Sequence, residues 1–246
     1  MNMKKTALIT GSSRGIGKAT AEKFAENGYN IVLNCIKNVE MMQALENNLK
    51  EKGVPCMSLV CDVSDYGKVG EMFEAVKNKF GGVDVLINNA GVATYGLFNT
   101  SEVSEWDYIM KNNFYSVMNC CHHAIPYMLE KREGSIINLS SIWGVTGASC
   151  ETLYSASKGA LSLFSKALAK ELGPNGIRVN AIAPGAIDTD MTASFTGEVR
   201  EEMEYSIPLS RFGTAKEVAH MIFAMAENNY MNGQVVLLDG GVGGTV

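Results

Sequence analysis

The N-terminal segment constrains the fold most, because it alternates a short apolar run, a glycine-rich turn, a helix pattern and a second apolar run. TALIT predicts a strand, GSSRGIG a turn, KATAEKFAENG a helix that closes at Gly28, and NIVLNC the next strand. Gly11, Gly15 and Gly17 let backbone N–H groups approach a pyrophosphate at the N-terminus of that helix. This order of elements favours a dinucleotide site over a merely tight turn, although the spacing is GxxxGxG, not the more familiar GxGxxG.

The alternation of strand and helix patterns continues towards the C-terminus. Helices are predicted near 39–52 and 66–80, and further strands at CMSLVCDVS, VDVLINNAG, SIINLSS, IRVNAIAPG and QVVLLDGG. One long helix is expected from about Ser104 to Lys131. Strands that alternate with helices in this way predict an α/β domain built on a parallel sheet.

Residues 186–213 interrupt the alternation, because they carry no strand pattern and only the short amphipathic piece TGEVREEMEYS. A long excursion past the carboxyl end of a strand is typical of a mobile lid over a ligand. Thr214 and Glu217 form a capping-box pattern at the start of the next helix, AKEVAHMIFAMAE. We therefore expect a single nucleotide-binding domain over residues 1–246, with a substrate lid near 186–213.

Composition and charge exclude several classes of protein. A chain of 246 residues, 46% of them hydrophobic and with 25 glycines, suits a globular fold with many tight turns. Its net charge of -5 argues against a nucleic-acid surface, which needs clustered lysines and arginines. The start MNMKKTALIT has no signal-peptide core, and no later segment has the length of a membrane span. We expect a cytoplasmic protein that binds neither nucleic acid nor membrane.

The cysteines and histidines do not predict a metal site. The sequence contains six cysteines: Cys35, Cys56, Cys61, Cys120, Cys121 and Cys150. They form no C-x-x-C pair and several fall in predicted strands, so reduced thiols in the core are expected. His122 and His123 are adjacent on a predicted helix and therefore point in different directions.

The stretch NLSSIWGVTGASCETLYSASK, residues 138–158, carries three side chains that can act together on a carbonyl group. Tyr154 and Lys158 are four apart in a helix pattern and lie on one face. A lysine cation there favours the phenolate and should lower the tyrosine pKa from about 10. Ser141 ends an apolar run that reads as a buried parallel strand, at the sheet edge where such folds bind ligands. Although Y-x-x-x-K alone is usually structural, the combination with Ser141 predicts a catalytic site.

The residues after the second predicted strand indicate which cofactor binds. A site for NAD usually offers a carboxylate there, but this chain has no acid before Glu40. Arg14 and Lys37 could clamp a 2'-phosphate, so NADPH is predicted, although either cation could simply be solvated. Asp62 follows its strand directly and either accepts from an adenine amine or caps the next turn.

Several ordered motifs resemble those of the classical short-chain dehydrogenase/reductases, and within that family the 3-oxoacyl-acyl carrier protein reductases. The motifs span almost the whole chain: TGSSRGIG, NNAG at 88–91, Ser141, YSASK at 154–158, and Pro184-Gly185 with Thr189. The resemblance implies a Rossmann-type, doubly wound parallel sheet of seven strands in a single domain. It also implies a homotetramer.

The same resemblance implies a role for individual residues. It assigns Tyr154 as acid/base, Lys158 as the group that lowers the tyrosine pKa and holds the nicotinamide ribose, and Ser141 as the group that polarises the carbonyl. Asn113, which periodicity alone would not select, aligns with an asparagine that positions a proton-relay water. The implied cofactor-binding positions are Gly11, Ser13, Arg14, Gly15, Ile16, Gly17, Asp62, Val63, Asn89, Ala90, Gly91, Tyr154, Lys158, Pro184, Gly185, Ile187 and Thr189.

The substrate is less constrained than the cofactor. Of two basic residues that carrier-protein reductases tend to share, Arg132 fits the first, whereas Asn175 stands at the second. Glu151 replaces a common glutamine, and together with Trp143 and Met191 it is a candidate substrate contact. Alternatively, Glu151 caps its own helix or meets a neighbouring subunit.

Four functional hypotheses follow from these residues. The first is reduction of a 3-oxoacyl thioester, and the second is reduction of a ketone on a modified protein side chain. The block SIWGVTGASCE supports the second, because it also resembles Gram-positive reductases of the 5-aminopentanone group on elongation factor P. A hydroxysteroid or other small-ketone dehydrogenase is the third. A non-catalytic nucleotide-binding sensor is the fourth, and the complete set of site residues counts against it.

Overall fold

The computed structural model describes residues 4–243, and its framework is a parallel sheet. The strands are β1 (Thr6–Ile9), β2 (Asn30–Cys35), β3 (Cys56–Val60), β4 (Val85–Asn88), β5 (Gly134–Leu139), β6 (Ile177–Pro184), β7 (Ile187–Asp188), β8 (Gly213–Thr214) and β9 (Val235–Leu238). Seven of them pair in the order β3-β2-β1-β4-β5-β6-β9, and every pair is parallel. This arrangement confirms the predicted seven-stranded sheet.

Helices connect successive strands and cover the sheet. They are α1 (Gly15–Glu26), α2 (Val39–Glu51), α3 (Tyr66–Phe80), α4 (Val103–Met110), α5 (Ser116–Lys131), α6 (Trp143–Thr146), α7 (Thr152–Leu172), α8 (Gly197–Ser206) and α9 (Ala215–Glu227). The predicted helices near 39–52 and 66–80 correspond closely to α2 and α3.

The sheet is buried on both faces, because successive residues of a strand point to opposite sides. In β1, Ala7 and Ile9 join an apolar cluster with residues of α1, α2 and α9. Leu8, between them, joins a second cluster with residues of α3, α5 and α7. Two separate apolar cores on one sheet confirm the doubly wound architecture.

The predicted helix from Ser104 to Lys131 is confirmed as one helical run, Val103–Lys131, but it is not α-helical throughout. A π-helical turn, Lys111–Tyr115, separates α4 from α5, and Asn113 is fully buried within it. The physical reason is tertiary: the wider turn carries the Asn113 amide towards backbone groups of another segment. The local helix pattern carries no signal of those distant partners.

The prediction that residues 186–213 contain no strand is wrong. The two residues of β7 pair with the two of β8, and this small ladder joins the ends of the excursion. Strands of two residues are too short to create a period-2 pattern. The amphipathic piece forms α8 as predicted, whereas the short helix α6 after Ser141 was not predicted.

Local signals in the sequence correspond to observed contacts elsewhere. The capping box at α9 is confirmed, since the Glu217 N–H donates to Thr214 Oγ1 and the Thr214 N–H donates to Glu217 Oε2 at 2.8 Å. All six cysteines are free thiols; five are buried as expected, but Cys150 is partly exposed. No helix between residues 4 and 243 has the length and apolar character to cross a membrane.

The sheet also creates a place for a ligand. Strand order reverses at the neighbouring pair β1 and β4, since β2 and β3 follow on one side and β5 and β6 on the other. The connections beyond these two strands leave in opposite directions, which opens a crevice at their carboxyl ends.

Candidate active site

A cleft of about 630 Å³ lies along the carboxyl edge of the sheet and contains most of the predicted site residues. Three of the four predicted catalytic residues line it, as does Met191. The predicted cofactor residues that line it are Gly11, Ser13, Arg14, Gly15, Ile16, Lys37, Asp62, Val63, Asn89, Ala90, Gly91, Tyr154, Lys158, Pro184, Gly185, Ile187 and Thr189. A single continuous cleft thus joins the glycine-rich turn to the tyrosine.

Four predicted site residues do not line this cleft: Gly17, Asn113, Trp143 and Glu151. At Gly17 a Cβ atom would lie 2.6 Å from the Asn89 side-chain nitrogen, so this glycine permits close packing within the turn. Asn113 lies behind the cleft wall, with its side chain occupied by protein contacts. The substrate roles of Trp143 and Glu151 stay predictions.

Tyr154 and Lys158 lie one turn apart in the first part of α7, where Tyr154 is partly buried and Lys158 is buried. Lys158 Nζ lies 5.7 Å from the centroid of the Tyr154 ring and donates a hydrogen bond of 2.7 Å to the Leu139 carbonyl. Burial lowers the Lys158 pKa to about 8, so the amine still carries its proton at neutral pH. The expected pair therefore forms, with a backbone carbonyl as a third member.

The prediction that Lys158 lowers the tyrosine pKa is wrong for the protein alone. Burial raises the Tyr154 pKa to about 12; interaction with the Ser141 hydroxyl acts in the opposite direction, and the Glu151 carboxylate adds to the rise. The main cause is desolvation of the phenolate, and Lys158 is not among the groups that shift this pKa. At neutral pH the tyrosine is thus a proton donor, not a phenolate.

The Ser141 side chain stands where β5 leaves the sheet and turns into α6. Its oxygen accepts a hydrogen bond of 3.2 Å from the Trp143 N–H, which orients the hydroxyl at the cleft wall. A Cβ on Gly144 would lie 2.6 Å from the Lys158 carbonyl carbon, so glycine lets α6 pack directly on the turn of α7 that carries Lys158. The packing of α6 on α7 therefore fixes the position of the Ser141 hydroxyl relative to Tyr154.

Ser140, which the sequence did not single out, joins the same two elements. Its hydroxyl donates to the Lys158 carbonyl at 2.9 Å and lies 2.7 Å from the Ser162 hydroxyl. All three residues are buried. A hydrogen-bonded pair of serines therefore anchors the turn of α7 that carries Lys158 to the end of β5. Nothing in the sequence distinguishes these two serines from others in the chain.

Asn113 connects three segments through its amide. The oxygen accepts from the Val92 N–H at 2.8 Å, and the nitrogen donates to the Val92 carbonyl at 2.9 Å and to the Ser157 hydroxyl at 3.0 Å. The Ser157 hydroxyl in turn donates to the Tyr154 carbonyl at 2.7 Å. The π-helical turn is thus tied both to the loop that follows the NNAG motif and to α7, a link that sequence analysis missed.

The glycine-rich turn fits a dinucleotide. Gly11 and Gly15 have φ of +63° and +54°, conformations that most other residues adopt only with strain, and both line the cleft beside the start of α1. The N-terminus of α1 offers unpaired N–H groups to a pyrophosphate. The cleft extends from there past β2 on one side and to Tyr154 on the other, which corresponds to the two ends of a dinucleotide.

Of the side chains near the ends of β2 and β3, some bind other parts of the protein and others are free to contact a cofactor. Asn34 lines the cleft, but its amide nitrogen donates to the carbonyls of Leu59 and Cys61 at 3.2 and 3.0 Å, so it ties β2 to β3. Asp62 caps a turn through Ser64 N–H at 2.9 Å while it lines the cleft, which fits the capping alternative. Lys37 is exposed at the cleft edge.

Arg14 has a partner that sequence analysis did not predict. Its guanidinium lies 3.3 Å from a carboxylate oxygen of Asp190, which follows β7 and also lines the cleft. No sequence signal links these residues, because they are far apart in the sequence. The excursion after β6 brings Asp190 to Arg14 in the fold.

Glu151 lies at the N-terminus of α7 with a carboxylate that makes no hydrogen bond or ion pair to another side chain within residues 4–243. Burial raises its pKa, and its charge adds to the rise that burial causes in the Tyr154 pKa. The carboxylate is therefore close enough to influence the proton donor. The alternative that it caps its own helix is not supported by a side-chain bond.

Comparison with known proteins gives consistent matches. A family model described as enoyl-(acyl carrier protein) reductase matches residues 11–243. Curated relatives named 3-oxoacyl-acyl carrier protein reductase FabG include one from Staphylococcus aureus, 39% identical over 98% of this chain and 99% of the relative. Others are from Thermotoga maritima, 40% identical over 97% of both chains, and Staphylococcus epidermidis, 38% identical over 98% and 99%.

Proposed function

The chain belongs to the short-chain dehydrogenase/reductase family, and we propose that it is an NADPH-dependent reductase of 3-oxoacyl thioesters that converts a ketone into a secondary alcohol. The observation that carries this proposal is the meeting of Ser141, a protonated Tyr154 and Lys158 at one end of a cleft whose other end is the glycine-rich turn. The relatives are named for 3-oxoacyl substrates on acyl carrier protein, which supports the same substrate class here.

In the proposed reaction, the residues that line the cleft would hold a nicotinamide cofactor, which would supply a hydride for the carbonyl carbon. Tyr154 gives its phenolic proton to the carbonyl oxygen, so the C=O bond becomes a CH–OH group and the phenolate remains. A phenol with a pKa of about 12 is ionised in only about one molecule in 10⁵ at pH 7, so the donor form dominates before each turnover. Solvent must then return the proton.

The neighbouring residues assist that proton transfer. The Ser141 hydroxyl, which interacts with Tyr154, would donate a hydrogen bond to the same carbonyl oxygen as negative charge develops on it. The Lys158 cation would stabilise the phenolate left behind. Asn113 supports the catalytic helix through Ser157, and we retain the proposal that it also positions a water that returns the proton.

The cofactor proposal rests on charge at the adenosine end of the cleft. Arg14 and Lys37 are cations that line it. The end of β2 carries Asn34 in place of an acid, and the Asn34 amide donates its hydrogen bonds to the carbonyls of Leu59 and Cys61. A 2'-phosphate would meet both cations, whereas the ribose hydroxyl of NADH would meet no carboxylate from the end of β2. Replacing both cations with methionine should therefore weaken NADPH binding much more than NADH binding. Equal kcat/KM of the wild type with the two cofactors would contradict the clamp.

A second candidate function is reduction of a ketone that carries a cationic group, such as an aminoketone on a modified protein. One observation favours it: the half-buried Glu151 carboxylate near Tyr154 has no cationic partner among the described side chains. A buried carboxylate is costly unless a cation or hydrogen bonds compensate it. The named relatives do not favour this candidate, so the 3-oxoacyl thioester comes first.

An NADPH-oxidation assay with acetoacetyl, crotonyl and aminoketone substrates tests the proposal. Activity is expected with the acetoacetyl thioester; turnover only of the crotonyl thioester, whose carbon–carbon double bond an enoyl reductase would reduce, would contradict it. Tyr154→Phe should lower turnover by about 10²-fold or more, the usual scale for losing a general acid. Tyr230→Phe is the control, because that residue is fully exposed and lies outside both the cleft and the excursion. Near-normal activity of a folded Tyr154→Phe protein would refute the mechanism.

The proposal also covers the carrier of the substrate, the lid, the assembly and the location of the protein. Acyl carrier protein would be the carrier of the substrate, with Arg132 at the end of α5 as one basic contact. The excursion containing α8 would act as the substrate lid, and the enzyme would work as a homotetramer in the cytoplasm.

A further inference from the structure

The ion pair between Arg14 and Asp190 lies in the cleft at the point where the cofactor proposal requires a free cation. Arg14 is the residue directly before α1, and Asp190 lies two residues beyond β7, in the excursion that follows β6. Their side chains are 52% and 55% exposed, so the pair is accessible to a ligand in the cleft. An aspartate carboxylate and a phosphate oxygen bind a guanidinium through the same kind of hydrogen bond.

This geometry places Asp190 in competition with a phosphate group. A phosphate at Arg14 must either displace the carboxylate or share the guanidinium with it, and two anions on one cation repel each other. Exposed ion pairs are weak, so displacement is possible at a modest loss of affinity. Asp188, two residues earlier, makes a different contact, since it pairs with Arg200 at 3.2 Å.

We propose that Asp190 is a specificity-determining residue that competes with the 2'-phosphate of the nucleotide for Arg14 and so sets how strongly the protein prefers phosphate-bearing cofactors. This inference rests on the proposed NADPH preference. Binding of the phosphate releases Asp190 and with it the contact that holds the start of the excursion against the glycine-rich turn.

Calorimetric binding of adenosine 2',5'-bisphosphate and of AMP to the full-length protein tests the proposal without any catalytic readout. Asp190→Asn should raise the preference for the bisphosphate by about two- to fivefold, the range that exposed ion pairs reach. The gain should shrink in about 1 M salt, where the Debye length is about 3 Å. Asp188→Asn is the matched control, because the same change there removes a carboxylate that does not touch Arg14.

A double-mutant cycle then separates direct competition from a general charge effect. In an Arg14→Met background, Asp190→Asn should no longer change the preference. An unchanged or smaller preference in Asp190→Asn alone, or the same gain with Asp188→Asn, would overturn the proposal. If the wild type binds both ligands equally but Asp190→Asn prefers the bisphosphate, the competition is supported and the NADPH preference is refuted. If both proteins bind the two ligands equally, both proposals fail.

Discussion

Replacing Asn113 with alanine should destabilise the protein measurably, because its amide joins the π-helical turn to two other segments. The change removes two hydrogen bonds to Val92 backbone groups and one to Ser157. A buried group left without a partner costs about 1–3 kcal/mol. Val92 is only partly buried and Ser157 keeps its bond to Tyr154, so these penalties fall at the lower end. We expect a loss of about 2–3 kcal/mol in the free energy of unfolding.

Asn112→Ala provides a matched control one residue away in the same π-helical turn. The Asn112 side chain makes a single, solvent-exposed hydrogen bond of 2.8 Å to the Tyr108 carbonyl. Surface substitutions of this kind usually change stability by at most about 0.5 kcal/mol. The difference between the two variants therefore isolates the buried contacts from the intrinsic helix propensity of alanine.

Urea unfolding followed by circular dichroism measures both variants at one protein concentration, since association would shift apparent stability. Asn113→Ala should also lower kcat for ketone reduction, because Ser157 connects its amide to the turn that carries Tyr154. Equal unfolding free energies for the two variants would refute the idea that the Asn113 amide holds these segments together.

Three further predictions address protonation, substrate and assembly. Because burial lowers the Lys158 pKa to about 8, the cation is present at neutral pH and lost as pH rises through that value, so kcat/KM for reduction should fall about tenfold per pH unit above it; a flat profile to pH 9.5 would contradict this role. Glu151→Gln should raise KM for an aminoketone and leave KM for a neutral 3-oxo thioester nearly unchanged. Equal effects on both substrates in steady-state assays would mean that Glu151 does not distinguish substrates by their charge. Light scattering at micromolar concentration should give a multiple of 26.5 kDa, because large apolar side chains such as Leu163 and Met118 are exposed on α7 and α5, and a purely monomeric mass would refute association.

Much of this architecture follows from local patterns in the chain. The strand, glycine-rich turn and helix at the N-terminus are determined by adjacent residues, because apolar runs, positive φ and helix propensity act over a few positions. The same holds for Tyr154 and Lys158, whose spacing of four brings them together in any helix. The capping box at α9 is equally local, so its prediction is confirmed to the residue.

What local patterns could not determine depends on groups distant in sequence. The π-helical turn around Asn113 requires Val92 and Ser157, and the pKa of Tyr154 depends on how deeply the finished fold buries it. The pair of Arg14 and Asp190 likewise exists only once the excursion after β6 returns to the glycine-rich turn. Neighbouring residues thus determine the local backbone geometry. Desolvation and charge pairing arise only when the sheet and its connections bring distant residues within a few ångströms.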